Sequence, residues 1–140
     1  MAVFNKINQF VEDRAHKVHN LGTDVFTVSL HTAANVPVAG NSVLADLTQI
    51  AYTNLSTRVI TTTSSGQTTG LYKLVLQDLV LTASGGPVET FRYVMVYNDT
   101  PTSPADPLIG WYDYESDVVL ADGESLTIDF DAANGFISDQ

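Results

Sequence analysis

Apolar side chains recur at every second position over several stretches of this chain, the spacing that puts them on one face of a β-strand. The clearest stretch is Phe91 to Tyr97, where Phe91, Tyr93, Met95 and Tyr97 fall on one side and Arg92, Val94 and Val96 on the other. Both sides are largely apolar, so the pattern predicts a strand covered on both faces in the middle of a sandwich. Asn98-Asp99-Thr100-Pro101 ends it, because Pro has no N–H for a ladder and Asn and Asp bond their own backbone in turns. The apolar run resumes at Leu108 to Tyr112, after Pro104 and Pro107, and carries Trp111, the chain's one tryptophan. A second strand beside the first is predicted there.

Asp24 to Thr32 alternates more cleanly, with Phe26, Val28 and Leu30 inward and Thr27, Ser29 and His31 outward, the pattern of a half-buried antiparallel strand. Leu71 to Ala83 reads as one strand whose register slips near Gln77-Asp78, as a β-bulge would allow. Asp122-Gly123 is a hairpin signal between Asp117 to Leu120 and Ser125 to Asp131, the latter pointing Leu126, Ile128 and Phe130 inward. Asn134-Gly135 turns the chain into a last short strand at Phe136 and Ile137. Thr57 to Thr61 holds a further short strand.

Two segments switch to helical spacing. Over residues 3 to 18, Phe4, Ile7, Phe10, Val11 and Val18 form one apolar stripe, and Asn20 and Gly22 supply the stop. Ser42 reads as an N-cap for a short helix from Val43 to Ala51, with Leu44, Leu47, Ile50 and Ala51 on one face and Asp46 in the first turn. Thr61 to Gly70 has neither period and is wholly small or polar. It predicts an exposed, mobile loop or a β-arm that orders on contact.

These elements make one mainly antiparallel, jelly-roll-like β-sandwich of roughly eight strands over residues 23 to 140, with residues 1 to 20 as an N-terminal helical arm and a short second helix packed on it. The predicted core is Phe26, Val28, Leu30, Leu44, Leu74, Leu76, Phe91, Tyr93, Leu126, Ile128 and Phe130. At 140 residues the chain fits a single domain and can bury roughly two thirds of its unfolded surface.

Composition narrows the chemistry. There is no cysteine, which excludes disulfides, thiolate nucleophiles and Cys-ligated metal. The first segment carries Lys6, Glu12, Asp13 and Arg14 and no continuous apolar run, so neither a signal peptide nor a membrane span is expected. Net charge is -10, unevenly spread. Lys6, Arg14 and Lys17, three of the six Lys and Arg residues, lie in the first twenty positions, whereas Asp99 onward holds ten acidic residues and no Lys or Arg. Such a chain is repelled by nucleic acid, and its acidic third suits either solubility or docking on a basic surface.

Catalytic and metal motifs are weak. His16 and His19 sit three apart at a predicted helix end, but no HExxH pattern accompanies them. GxSxG is absent, and Ser64-Ser65-Gly66 has no base near it in sequence. Asp113, Glu115 and Asp117 alternate, so in a strand they would share a face and could hold a hard cation; solvated acids are the simpler reading. Asp129-Phe130-Asp131-Ala132-Ala133-Asn134-Gly135 begins like a calcium loop, but Ala stands at its fifth position and its glycine is one place late. No catalytic residue, cofactor or metal ligand is assigned, and no enzymatic activity is expected.

Five segments carry a family resemblance. FRYVMVYNDT, PLIGWYDY and VVLADGESLTIDF, in that order, together with AVFNKINQFVEDRAHKVHNL and SVLADLTQIAY, resemble the capsid cement or decoration proteins of tailed bacteriophages. The chain departs from that pattern at Tyr52-Thr53-Asn54-Leu55, where a Gly-containing turn belongs. The resemblance implies a structural virion protein, made in the host bacterial cytoplasm, that binds the outer surface of the capsid as a homodimer. There it would brace contacts between major capsid protein subunits. The expected contact residues are Phe4, Ile7 and Phe10 on the first helix, Thr61 and Gln67 on the polar arm, and Trp111, Asp113, Glu115 and Asp117 in the acidic third. The alternative is a receptor- or carbohydrate-binding module of a phage tail or fibre, stacking sugars on Trp111, Tyr112 and Tyr114.

Overall fold

The computed structural model describes residues 2–139. In chain order the elements are β1 (Val3–Lys6), α1 (Asn8–Ala15), β2 (Phe26–His31), β3 (Val59–Ile60), β4 (Thr62–Thr68), β5 (Leu71–Leu76), β6 (Leu79–Thr82), β7 (Phe91–Asn98), β8 (Leu108–Val118), β9 (Ser125–Ile128) and β10 (Ile137–Asp139). The fold is mainly β and every strand pairing is antiparallel. A five-stranded sheet runs β1-β8-β7-β2-β3, a three-stranded sheet β10-β5-β4, and a two-stranded sheet β6-β9. All three contribute to one apolar core.

The double-sided apolar pattern of β7 puts it in the centre of the large sheet, and every residue of it except Arg92 is buried. Phe26, Phe91, Met95 and Leu108 of β2, β7 and β8 are among the largest fully enclosed side chains. Each such side chain contributes about 1.5–3 kcal/mol relative to exposure.

Strand β2 is buried along its whole length, so Thr27, Ser29 and His31 do not face solvent as their alternation predicts. The segment from Thr48 to Ile60 crosses over them. Tyr52 Oη accepts from Leu30 N at 3.0 Å and donates to Gln49 Oε1 at 2.6 Å. The Arg58 guanidinium donates to Val28 O at 2.8 Å and stacks 3.8 Å above the Tyr52 ring. Ser29 and His31, whose burial a period-two reading misses, are hydrogen-bonded there, while Thr27 Oγ1 is buried without a partner.

The first predicted helix begins as a strand. Val3–Lys6 pairs with β8 as Phe4↔Tyr112 and Asn5↔Trp111, and only Asn8–Ala15 is helical, so residues 1 to 20 are not a helical arm standing off the body. Gly110 permits this. A Cβ there would lie 2.4 Å from Phe4 Cζ and 2.7 Å from Asn5 O, so only glycine lets β1 approach β8. The predicted second helix shrinks to a 3-10 turn at Leu44–Asp46. Asp46 Oδ2 accepts from the backbone N–H of Ser42 and Val43, at 2.9 and 3.2 Å, closing a turn that the apolar residues alone read as helix.

Leu71 to Ala83 is two strands rather than one bulged strand. At Gln77-Asp78 the chain leaves the β4-β5 ladder and enters the β6-β9 sheet. Likewise Asp122-Gly123 makes a turn but no hairpin. Gly123 takes φ +87°, yet the strand after the turn pairs with β6, not with β8. Of the predicted core, Leu44 and Leu126 are only half-buried; the other nine are buried.

Candidate interaction surfaces

Thr62–Thr68 folds as a strand, the β-arm form of the expectation for this polar stretch. Thr69 (φ 51°) and Gly70 (φ 86°) supply the two consecutive positive-φ positions of a two-residue hairpin loop into β5. Gly70 suits this at no steric cost, and its N–H donates to Gln67 Oε1 at 2.9 Å. Residues 63–70 are exposed without interruption. β4 is the outer strand of its sheet, and Thr62–Thr68 contains neither a charge nor a proline. Edge strands usually carry one or the other, which discourages pairing with another chain. Thr61 and Gln67 are both exposed on this arm.

The register assigns the arm two faces. Ser65 and Gln67 lie opposite Leu74 and Tyr72, while Ser64, Gly66 and Thr68 lie opposite Val75, Lys73 and Leu71. The first face continues the core, since Leu74 is fully buried, and runs out past it to Tyr72, whose hydroxyl lies 2.8 Å from Ser65 Oγ.

The remaining predicted contact residues divide. Phe4 is 40% exposed, with its ring edge-on to Tyr112 and Phe136 at 5.0 and 5.4 Å. Ile7 and Phe10 are buried at 0% and 4% exposure, because Ile7 N bonds Ile109 O and the helix stripe packs on the body; they offer no contact surface. Trp111 is buried at 8% exposure, so it belongs to the core of the large sheet and to no partner contact or sugar platform. Tyr112 and Tyr114 are half-buried, and burial raises both hydroxyl pKa values, that of Tyr114 to about 12.

Asp113, Glu115 and Asp117 all lie on β8, and the latter two are exposed, but they do not form a cation site. Arg92 holds Asp113 with Nε–Oδ1 and Nη2–Oδ2 distances of 2.9 and 3.3 Å, which keeps its carboxyl below the usual range. Glu115 takes φ 65°, which breaks the alternation that would align the three. Among the described residues no group of three or more His, Asp or Glu side chains is placed to hold a metal. Asp131 instead caps its own turn, accepting from Asn134 N and Nδ2 at 3.2 and 2.8 Å. The two N-terminal histidines separate. Helix α1 ends at Ala15, His16 is exposed beside Glu12, and His19 is buried beyond the helix.

Sequence reasoning missed a Ser–His pair. Ser29 Oγ lies 2.8 Å from His31 Nε2, and His31 Nδ1 lies 2.6 Å from Thr48 O. The carbonyl can only accept, so His31 carries its proton on Nδ1 and Nε2 accepts from the Ser29 hydroxyl. Such a contact resembles that of an activated nucleophile. However, both residues are completely buried, at 0% exposure, so a substrate has no access to them. Burial depresses the His31 pKa below its ordinary value.

No helix among the described residues is long and apolar enough to cross a membrane. Compared with family models, with curated proteins and with solved structures, the chain has no significant match.

Proposed function

We propose that this chain is a non-enzymatic structural virion protein that docks as a homodimer on the outer surface of a phage capsid and braces neighbouring major capsid protein subunits. In this reading the three sheets form a jelly-roll-like sandwich. The observation that carries it is β4: a long, exposed outer strand without a charge or a proline, with an unprotected edge and no residue in the buried core. An edge of that kind suits addition of a partner strand, in which main-chain hydrogen bonds supply affinity. The sealed Ser29–His31 pair and the burial of Trp111 favour this reading over catalysis and over sugar stacking. The acidic residues from Asp99 onward suit a basic patch on the shell.

Co-sedimentation with capsids that lack the protein, at low and high salt, tests it together with thermal rupture of the same particles. Saturable binding at a fixed ratio to the shell protein and a raised rupture temperature are expected. Absence of binding at both salts would sink the proposal.

A further inference from the structure

Asn134-Gly135, in the turn that leads into β10, is the one Asn–Gly pair in the sequence. Asn134 is exposed to water. In such a pair the glycine nitrogen, unshielded by any side chain of its own, can attack the asparagine side-chain carbon. Hydroxide takes the Gly135 amide proton as the N–Cγ bond forms; the Cγ–Nδ2 bond breaks, and the amide leaves as ammonia with a proton from water. Water then opens the succinimide ring at either carbonyl, leaving aspartate or isoaspartate. Water is the only reagent consumed, and asparagine is accordingly among the thermolabile residues.

The fold ties down the groups this reaction needs. Gly135 N–H donates to Asp131 O at 2.8 Å, so the nucleophile is engaged elsewhere. The Asp131 carboxylate holds Asn134 at two points, accepting from Nδ2 at 2.8 Å and from the backbone N–H at 3.2 Å. Lys73 Nζ donates to Ala133 O of the same turn at 3.1 Å. The turn is also closely packed. A Cβ at Gly135 would lie 3.3 Å from both Leu74 O and Ile137 O. Phe136 N then donates to Leu74 O at 2.8 Å, and the β10-β5 ladder follows with Ile137↔Leu74. Isoaspartate routes the main chain through Cβ and Cγ and adds one backbone atom at this point, where there is no slack to absorb it.

We propose that Asn134 is a site of spontaneous deamidation, that the Asp131 carboxylate holds it in check while the turn is closed, and that conversion to isoaspartate unfastens β10 from β5. The reaction proceeds through the fraction of molecules in which the turn is open, as for other modifications of a locally unfolded segment. Its consequence reaches the body of the protein. The released segment carries Phe136, edge-on to Phe4 and Phe130 at 5.4 and 5.6 Å, and Asp139, paired with Arg14 at 2.7 Å. The site is independent of any role on a capsid.

The test is incubation of the full chain in mildly alkaline buffer, folded and in denaturant, followed by peptide mapping with isoaspartate resolved from aspartate by chromatography. Asn134 is expected to convert in denaturant and to do so at least about tenfold more slowly in the folded chain, which must wait for the turn to open. Asp131→Ala should recover most of that difference. Asp131→Asn, which tolerates the φ of 52° at this position, should be intermediate. Both variants should match the unaltered chain in denaturant and leave hydrogen exchange of the β7 amides unchanged, which separates loss of the local hold from loss of the fold. The isolated isoaspartate form should expose β10 amides while β7 stays protected. Conversion as fast in the folded chain as in denaturant, no acceleration in either variant, or acceleration only where β7 exchange has also quickened would overturn the proposal. So would an isoaspartate form with β10 fully protected.

Discussion

Two antiparallel ladders in this molecule use the same hydrogen bonding and meet opposite fates. In β2, β7 and the first four residues of β8 nearly every side chain is enclosed on both faces, whereas in β4-β5 the outer strand is exposed from Thr63 to Thr68. Backbone pairing alone does not decide which ladder carries stability, because each hydrogen bond replaces one to water and nets only about 0.5–1.5 kcal/mol. What separates them is apolar area. The central sheet and the inner strand β5, with Leu74 and Leu76 in the core, hold the fold together, and the outer strand β4 is available for other work.

Substitutions should make that contrast measurable. Phe91→Ala, at 0% exposure in β7, should cost about 3–5 kcal/mol in chemical denaturation. Gly110→Ala should cost about 1–3 kcal/mol, since the new methyl meets Phe4 and the Asn5 carbonyl. Hydrogen exchange should then show β1 amides losing protection before those of β7. A smaller effect depends on acidity. Burial holds His31 and His19 below the ordinary value of 6.5, so the unfolded chain takes up protons that the fold refuses. Stability should be full above pH 6.5 and fall as pH drops through the lower folded-state values. Denaturation midpoints at pH 8 and pH 5 check the sign, and His31→Gln should flatten the slope. At the bottom of the scale, Ser64→Ala and Thr68→Ala should move stability by less than about 0.5 kcal/mol. A Ser64→Ala cost comparable to that of Phe91→Ala would erase the distinction between the two ladders.

The same contrast explains what the sequence disclosed. β7 was legible because six of the seven positions from Phe91 to Tyr97 are apolar and they fall on both sides of the strand, a pattern with few other solutions. β2 was half legible: Phe26, Val28 and Leu30 face the core as their spacing says. Ser29 and His31 are buried by a segment some twenty residues downstream, and no local period encodes that cover. The helix predicted over 3 to 18 failed at its start because Phe4 and Ile7 satisfy a helical stripe and a strand edge equally well; Gly110, a hundred residues away, decides between them. Asp122-Gly123 marked a turn correctly but not its partner, since a turn fixes direction while sheet choice is tertiary. Of the expected contact residues, the polar ones on the arm are exposed, and the apolar ones Ile7, Phe10 and Trp111 went to the core.

The account rests on the outer strand β4 being spare for the fold and needed for the partner. The direct test is the double variant Ser64→Glu/Thr68→Glu, on the outer face of β4, compared with the unaltered chain in thermal denaturation and in co-sedimentation with capsids that lack the protein. An unchanged melting temperature together with loss of capsid binding is the predicted result. Full binding by a variant that melts normally would contradict it, and would move the contact away from the arm.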